Sequence, residues 1–291
     1  MSFESVAQLA AAAAEQGLSI GGLVLKLQSA EMEIPEERLF ERMDESLSVM
    51  EKSARMGMDP DLRSTSGLTG GDAHKLYDFA PGGIMGAFMG RAVARAIAVA
   101  EYNAAMGRIV AAPTAGSCGI MPGCLIALME ERNIEREKIV LSMFTAAGIG
   151  MVIACKACIA GAQGGCQAEC GAASAMSAAA MTEAMGGSPD QAAHACAIAI
   201  KNQLGLVCDP VAGLVEIPCI KRNASGVVNA MLSADMALSG IESRIPVDEV
   251  ISAMKEVGDS MPRELRETAR GGLAATPTAL RMKEQVFGKG D

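Results

Sequence analysis

Apolar residues recur at helical spacing along most of this chain, and no run alternates long enough to read as a strand. The clearest case is "IPEERLFERMDESLSVMEKSA", where Leu39, Phe40, Met43, Leu47 and Met50 fall three or four apart on one face. Pro35 stands where a first helical turn tolerates proline, and acids follow it, which is a start signal. The same reasoning predicts a long helix from about Gly83 to Met106, helices near 124–132 and 135–160, and an Ala/Met-rich helix ending near Met185. Ser188 and Pro189 open another, as N-cap and first helical residue. Further helices are expected over "NASGVVNAMLSADMALSG", over "IPVDEVISAMKEVG" and around 262–269. No repeat of fixed period is present. The pattern predicts an all-α fold, one helical domain over 1–291.

Four breaks interrupt the helices: "MGMDPDLRSTSGLTGGDAHKL", "AAPTAGSCGIMPG", "GAQGGCQAEC" and "GLVCDPVAGLVEIPC". Long irregular stretches inside a compact domain are usually functional. All four are glycine-rich or turn-rich, and three hold cysteines.

Composition sharpens the helical reading. Half of the 291 residues are hydrophobic, yet aromatics make up only 3% and tryptophan is absent. Ala, Gly and Met supply the apolar content instead. Small residues let helix backbones approach closely, and Met fills irregular gaps. A β-sandwich or barrel would draw on more β-branched and aromatic residues. The net charge is −9, and no Lys/Arg cluster exceeds the pair Lys221–Arg222. That excludes the basic face of a nucleic-acid binder. The opening "MSFESVAQLAAAAAEQG" lacks the basic and apolar regions of a signal peptide, so a cytoplasmic protein is expected. The uncharged run from Ile139 to Cys155 is marginal for a membrane span. With Ser142, Thr145 and two glycines inside it, it reads as a buried core helix rather than a membrane contact.

The nine cysteines are the outlier. An odd number without an export signal argues against a disulfide framework. Cys155 and Cys158 form a CxxC, but they sit in an apolar helical run with no second pair and no preceding strand. Packing is the better reading there than zinc or a thioredoxin-like redox pair. Cys196, between alanines, also reads as packing. Cys166, Cys208 and Cys219 differ, because each adjoins a turn: Gly164–Gly165, Asp209–Pro210 and Pro218. Glycine and proline set backbone angles that aim a ligand and bring amide N–H groups toward sulfur. Such hydrogen bonds stabilise thiolates and tune clusters. Three thiolates from three turns could close a cluster site with one iron left open. On the residues alone, packing and zinc remain alternatives.

Six segments carry a resemblance: "SGLTGGDA", "PTAGSCGIMPG", "GGCQAE", "LGLVCDPVAGLVEIPCIKRN", "ADMALSGIESRIPVDEV" and "RETARGGLAATPT". Together they resemble the α chain of the bacterial iron–sulfur-dependent L-serine dehydratases, over about Ala7 to Phe287. The resemblance implies a helical catalytic domain and a [4Fe–4S] cluster held by Cys166, Cys208 and Cys219. It gives no ligand role to Cys118, Cys124, Cys155, Cys158, Cys170 or Cys196, although Cys118 and Cys170 lie close to the site loops in sequence. The implied substrate is L-serine, deaminated to pyruvate and ammonia without pyridoxal phosphate. The open iron would act as Lewis acid on the serine hydroxyl and carboxylate.

The glycine-rich loops are the expected carboxylate holders. "SGLTGGDA" offers Ser66, Thr69 and the Gly70 and Gly71 amides, with Asp72 at a helix start, where free N–H groups bind anions. Asp72 could instead face the substrate ammonium or cap its helix. "PTAGSCGIMPG" offers Thr114 and Ser117. Lys201 and Asn202 are further candidates for substrate contact, with Asn223 beside them. A general base is harder to find. His194 sits mid-helix among alanines and reads as structural, which leaves His74, after the TGGD segment. In the resembled family the base is a histidine on a small domain that two-chain enzymes carry on a β chain. No such domain is legible here, so a β-subunit partner is expected. Single-chain relatives also use a C-terminal cysteine as a resting fourth ligand, and this chain ends Gly-Lys-Gly-Asp.

Overall fold

A computed structural model describes residues 4–288, so the last residues of the cysteine-free tail, 289–291, lie outside it, as do residues 1–3. Thirteen α-helices are present among the described residues, and no strand. They are α1 (Val6–Glu15), α2 (Ile20–Met32), α3 (Glu36–Gly57), α4 (Asp72–Phe79), α5 (Gly86–Ala104), α6 (Ile120–Arg132) and α7 (Arg136–Lys156). There follow the single turn α8 (Gly161–Gly164), α9 (Ala172–Ala184), α10 (Pro189–Lys201), α11 (Cys219–Leu238), α12 (Val247–Ser260) and α13 (Pro277–Phe287).

α9 is the axis of the molecule. Its sequence, "AASAMSAAAMTEA", is buried on every side save at Glu183. A helix that is apolar all round is a core helix. α7, α10, α11 and α6 pack around it, and α5 lies beyond α6 and α11. Small side chains permit the close approach. A Cβ on Gly57 of α3 would lie 1.8 Å from the Ala98 carbonyl oxygen of α5, so only glycine fits that crossing. One apolar cluster runs through these helices from Val6 to Met254. α7 is long and apolar enough to cross a membrane, but most of that apolar stretch is buried, with Ile139, Phe144, Ile149 and Ile153 inside the core.

Several expected boundaries hold for the expected reasons. Pro35 is the cap residue of α3, with Glu36 and Glu37 in the first turn. Ser188 caps α10 in a full capping box with Gln191, and Pro189 is the first helical residue. Such a cap is worth about 1 kcal/mol.

Other expectations are corrected. The predicted long helix from Gly83 begins at Gly86, and a separate α4 precedes it. The segment 161–170 is not an open loop. It is α8 followed by a π-helical turn, Gln167–Gly171, that runs into α9. π-turns inside helices are frequent at functional sites. The helix expected around 262–269 is only the short 3₁₀ turn Arg263–Leu265, and the true C-terminal helix is α13. Cys155 is exposed near the end of α7, and Cys158 lies past that end and is half-buried, so neither is core filling.

Candidate functional site

Cys166, Cys208 and Cys219 are all buried and all free thiols. Cys166 immediately precedes the π-turn before α9. Cys208 lies in the irregular connection between α10 and α11, and Cys219 is the first residue of α11. Cys208 feels the charge of Cys166 and Cys219, and Cys219 that of Cys166, which helps to push the Cys208 thiol up and the Cys219 thiol up to about 12, after burial itself. Cys170 joins them, its sulfur 3.4 Å from that of Cys166. The hydrogen bond between Cys166 and Cys170 holds the Cys166 thiol below its ordinary value, aided by the nearby Arg222 guanidinium. Among the described residues, no three His, Cys, Asp or Glu side chains are grouped so as to hold a single metal ion.

A polar frame fixes this group. Buried Asp209 accepts from Arg222 at 2.7 Å through one carboxylate oxygen and from the Leu273 amide at 2.7 Å through the other. Arg222 also donates to the Val207 carbonyl. Cys208 is held by a parallel bridge: its amide donates to Leu265 O and its carbonyl accepts from Glu267 N. Asn223 donates to the carbonyls of Cys219 and Gly116 and accepts from the Gly119 amide, so it ties α11 to the loop before α6.

The predicted substrate loops meet carboxylates of the chain itself. Ser66 and Thr69 both donate to Glu216 Oε2, at 3.0 and 2.7 Å. Glu216 is buried, three residues before Cys219. Thr114 donates to Glu169 Oε1 at 2.7 Å and lies 3.2 Å from Ser117. Gly71 takes the left-handed conformation before α4, but the amides of Asp72 and Ala73 already donate to Glu101. The anion site expected at that helix start is therefore filled by a side chain from α5. Asp72 does not cap its helix; its carboxylate pairs with Lys75 and Lys221, which holds it below the usual carboxylate range. A cleft of about 410 Å³ opens between these loops, lined by Arg63, Thr69, Gly70, Asp72, Glu216 and Lys221 among others, and it borders both neighbours of Cys219.

Other predicted residues lie elsewhere in the hydrogen-bond network. Lys201 donates to Ser243 and Asn202 to Asn229. His74 pairs across one turn with Asp78 at 3.3 Å on the surface of α4. His194 accepts from the Ser243 amide, a structural role. A larger cleft of about 650 Å³, lined by Glu51, Tyr77, Arg95 and Glu130, holds none of the cysteines. There Arg91 and Arg95 stack over Tyr77.

The sequence reading passed over Glu101, Glu169, Asp209, Glu216, Arg222 and Glu267. One signal was available. Glu169 and Glu216 are single charges in otherwise uncharged stretches, "GGCQAECGAAS" and "VAGLVEIPC". An isolated acid in such a setting needs a partner, and partners are costly to arrange without purpose.

The sequence matches the family model described as serine dehydratase alpha chain over residues 15–274. It is 50% identical over 98% of its length to the probable L-serine dehydratase, alpha chain, of Bacillus subtilis, covering 96% of that protein. Against the L-serine dehydratase, alpha chain, of Peptoniphilus asaccharolyticus the identity is 48%, over 95% of this chain and 96% of the relative. It also matches the L-serine dehydratase of Streptomyces coelicolor at 39% identity, with 94% of this chain covering 60% of that longer protein. With its all-helical core and nearly full-length agreement with two alpha chains, the chain belongs to the serine dehydratase alpha chain family.

Proposed function

We propose that this chain is the α chain of a cytoplasmic L-serine dehydratase that deaminates L-serine to pyruvate and ammonia on a [4Fe–4S] cluster. The observation that carries the cluster reading is the donor set: three buried free cysteines at one site, with an arginine beside one of them. Nine unpaired thiols also suit a reducing compartment.

Cys166, Cys208 and Cys219 would hold the cluster. When bound, it supplies a Lewis acid for a leaving group as poor as hydroxide. The rest falls to the protein. Arg222 offsets thiolate charge at Cys166, and Asp209 keeps that guanidinium oriented. Asn223 holds Cys219 against the Gly116 loop. The cleft beside Cys219 provides a route for a small amino acid, and Arg63 and Lys221, the latter paired with Asp72, line it.

The base for the α-proton is assigned to a β-chain partner. Support comes from the names of the two near-full-length relatives, each an alpha chain, and from His74, which is committed to Asp78 at the surface. The test is anaerobic preparation with and without a β chain, measuring iron, sulfide and serine-dependent pyruvate. Cys166→Ala, Cys208→Ala and Cys219→Ala should each lose the cluster, and Cys155→Ala should keep it. A Cys208→Ala protein with full iron would refute the assignment.

A further inference from the structure

We infer that Glu216 holds the substrate's ammonium group in the cleft beside Cys219, an inference that rests on the serine dehydratase reading. Glu216 is only 5% exposed, and one of its oxygens is committed: Oε2 accepts from Ser66 at 3.0 Å and from Thr69 at 2.7 Å. The other oxygen, Oε1, has no hydrogen-bond partner among the described residues, and it is not sealed from solvent. Glu216 lines the cleft of about 410 Å³, so what remains accessible of this nearly buried side chain opens there. A carboxylate oxygen so placed is costly to leave bare, and the cleft is where a partner can reach it.

The cations of the cleft do not supply that partner. Lys221 pairs with Asp72, which also pairs with Lys75. Arg63 donates through Nη1 to the Pro60 and Leu62 carbonyls, at 3.0 and 2.6 Å. No ion pair joins Glu216 to a cation among the described residues. Of the two carboxylates that line the cleft, Asp72 is therefore matched by the chain's own lysines and Glu216 is not.

The surroundings aim Glu216 rather than neutralise it. Ser66 and Thr69 reach it across 150 and 147 positions, and both hydroxyls are spent on the same oxygen. The Glu216 carbonyl accepts from the Ile220 amide at 3.0 Å, which ties the residue to the first turn of α11, where Cys219 stands. An ionised carboxylate is acceptor-only, and an ammonium carries three donors and no acceptor. The two are complementary in charge and in hydrogen bonding, whereas a substrate carboxylate would be repelled. The loop that the sequence offers as a carboxylate holder thus serves the opposite end of the substrate, by fixing an acid.

The experiment uses the cluster-loaded αβ enzyme and two unreactive ligands, L-alanine and propionate, which differ only in the ammonium group. In wild type, anaerobic calorimetry should find L-alanine bound more tightly. In Glu216→Gln the amide oxygen can keep Ser66 and Thr69, which turns the amide's donors toward the cleft. L-alanine should then weaken by about tenfold to a hundredfold, the range for losing a charged hydrogen bond. Propionate should be unchanged or tighter, the KM for L-serine should rise with the loss of L-alanine affinity, and iron and sulfide should stay at the wild-type level. Thr69→Val removes one of the two hydroxyls that aim Glu216. It should shift the ratio of the two affinities in the same direction by less, and it decides the matter if Glu216→Gln loses the cluster. Equal weakening of both ligands, unchanged L-alanine binding, or a wild type that binds L-alanine no better than propionate would overturn the inference. Failure of the underlying reading looks different: wild type would then make no pyruvate from serine.

Discussion

Replacing Asp209 by alanine tests whether the cysteine group is held by a charged frame or by packing alone. Asp209 is 3% exposed, and its two oxygens serve two segments: Arg222 at 2.7 Å and the Leu273 amide at 2.7 Å. Arg222 is itself largely buried. Removing one member of a buried pair leaves the other charge uncompensated, at a cost of about 3–5 kcal/mol. A chain of 291 residues has an unfolding entropy of roughly 0.6 kcal/mol/K at about 2.1 cal/mol/K per residue. The melting temperature of Asp209→Ala should therefore fall by about 5–8 °C. The measurement is anaerobic scanning calorimetry after treatment with a chelator, so that loss of any bound group does not add to the shift. Asp209→Asn keeps the shape and an acceptor for Leu273, and should fall by less. Hydrogen exchange gives a second readout, since the Leu273 amide should exchange faster in Asp209→Ala. A melting point within about 1 °C of wild type, with Leu273 still protected, would refute the reasoning.

Three further outcomes follow from burial and close approach. Gly57→Ala places a methyl group 1.8 Å from the Ala98 carbonyl, so α3 and α5 must separate, with a loss of about 1–3 kcal/mol or more in denaturant unfolding. Brief alkylation read by mass spectrometry should modify Cys155 first and spare Cys118, Cys124 and Cys196, which are fully buried; burial pushes the Cys118 thiol up to about 12. Glu183 is half-buried and accepts from Thr145 and the Gly21 amide, and the desolvation of its carboxylate raises its carboxyl above the ordinary value. A raised acid favours its protonated form in the folded state. Its contribution is therefore full below the unfolded value of about 4.3 and is lost as pH rises through the folded one. The stability of wild type relative to Glu183→Gln should fall across that window, and a flat difference would count against the burial argument.

Local rules carried the sequence reading a long way. The capping box at Ser188 and the proline start at α3 involve residues within three or four positions, and both are present. The end of α7 was harder. The apolar run continues through Cys155, but the core does not, because exposure depends on what packs nearby and not on hydropathy. α13 went unread although Thr276 caps it and Pro277 opens it. Its signal was short and its face scarcely buried. At the site, the turns flanking Cys166, Cys208 and Cys219 were legible, while the partners of the substrate loops were not. Ser66 meets Glu216 across 150 positions and Asp72 meets Glu101 across 29. Hydroxyls that look free in sequence are spent on acids that only folding brings near.

The bridge between Cys208 and the segment around Arg266 also sets an order of events during synthesis. Cys166, Cys208 and Cys219 all leave the ribosome before the residues that hold the middle one in place. The stretch from Cys219 to Leu273 takes roughly 3–11 s to make at about 5–20 residues per second. For that interval the nascent chain carries its thiols on an unanchored loop, with Asp209 lacking one of its two partners. Fixing of the three thiols is thereby tied to completion of nearly the whole polypeptide, and a chain cut short before Leu265 would carry them without the clasp that positions Cys208.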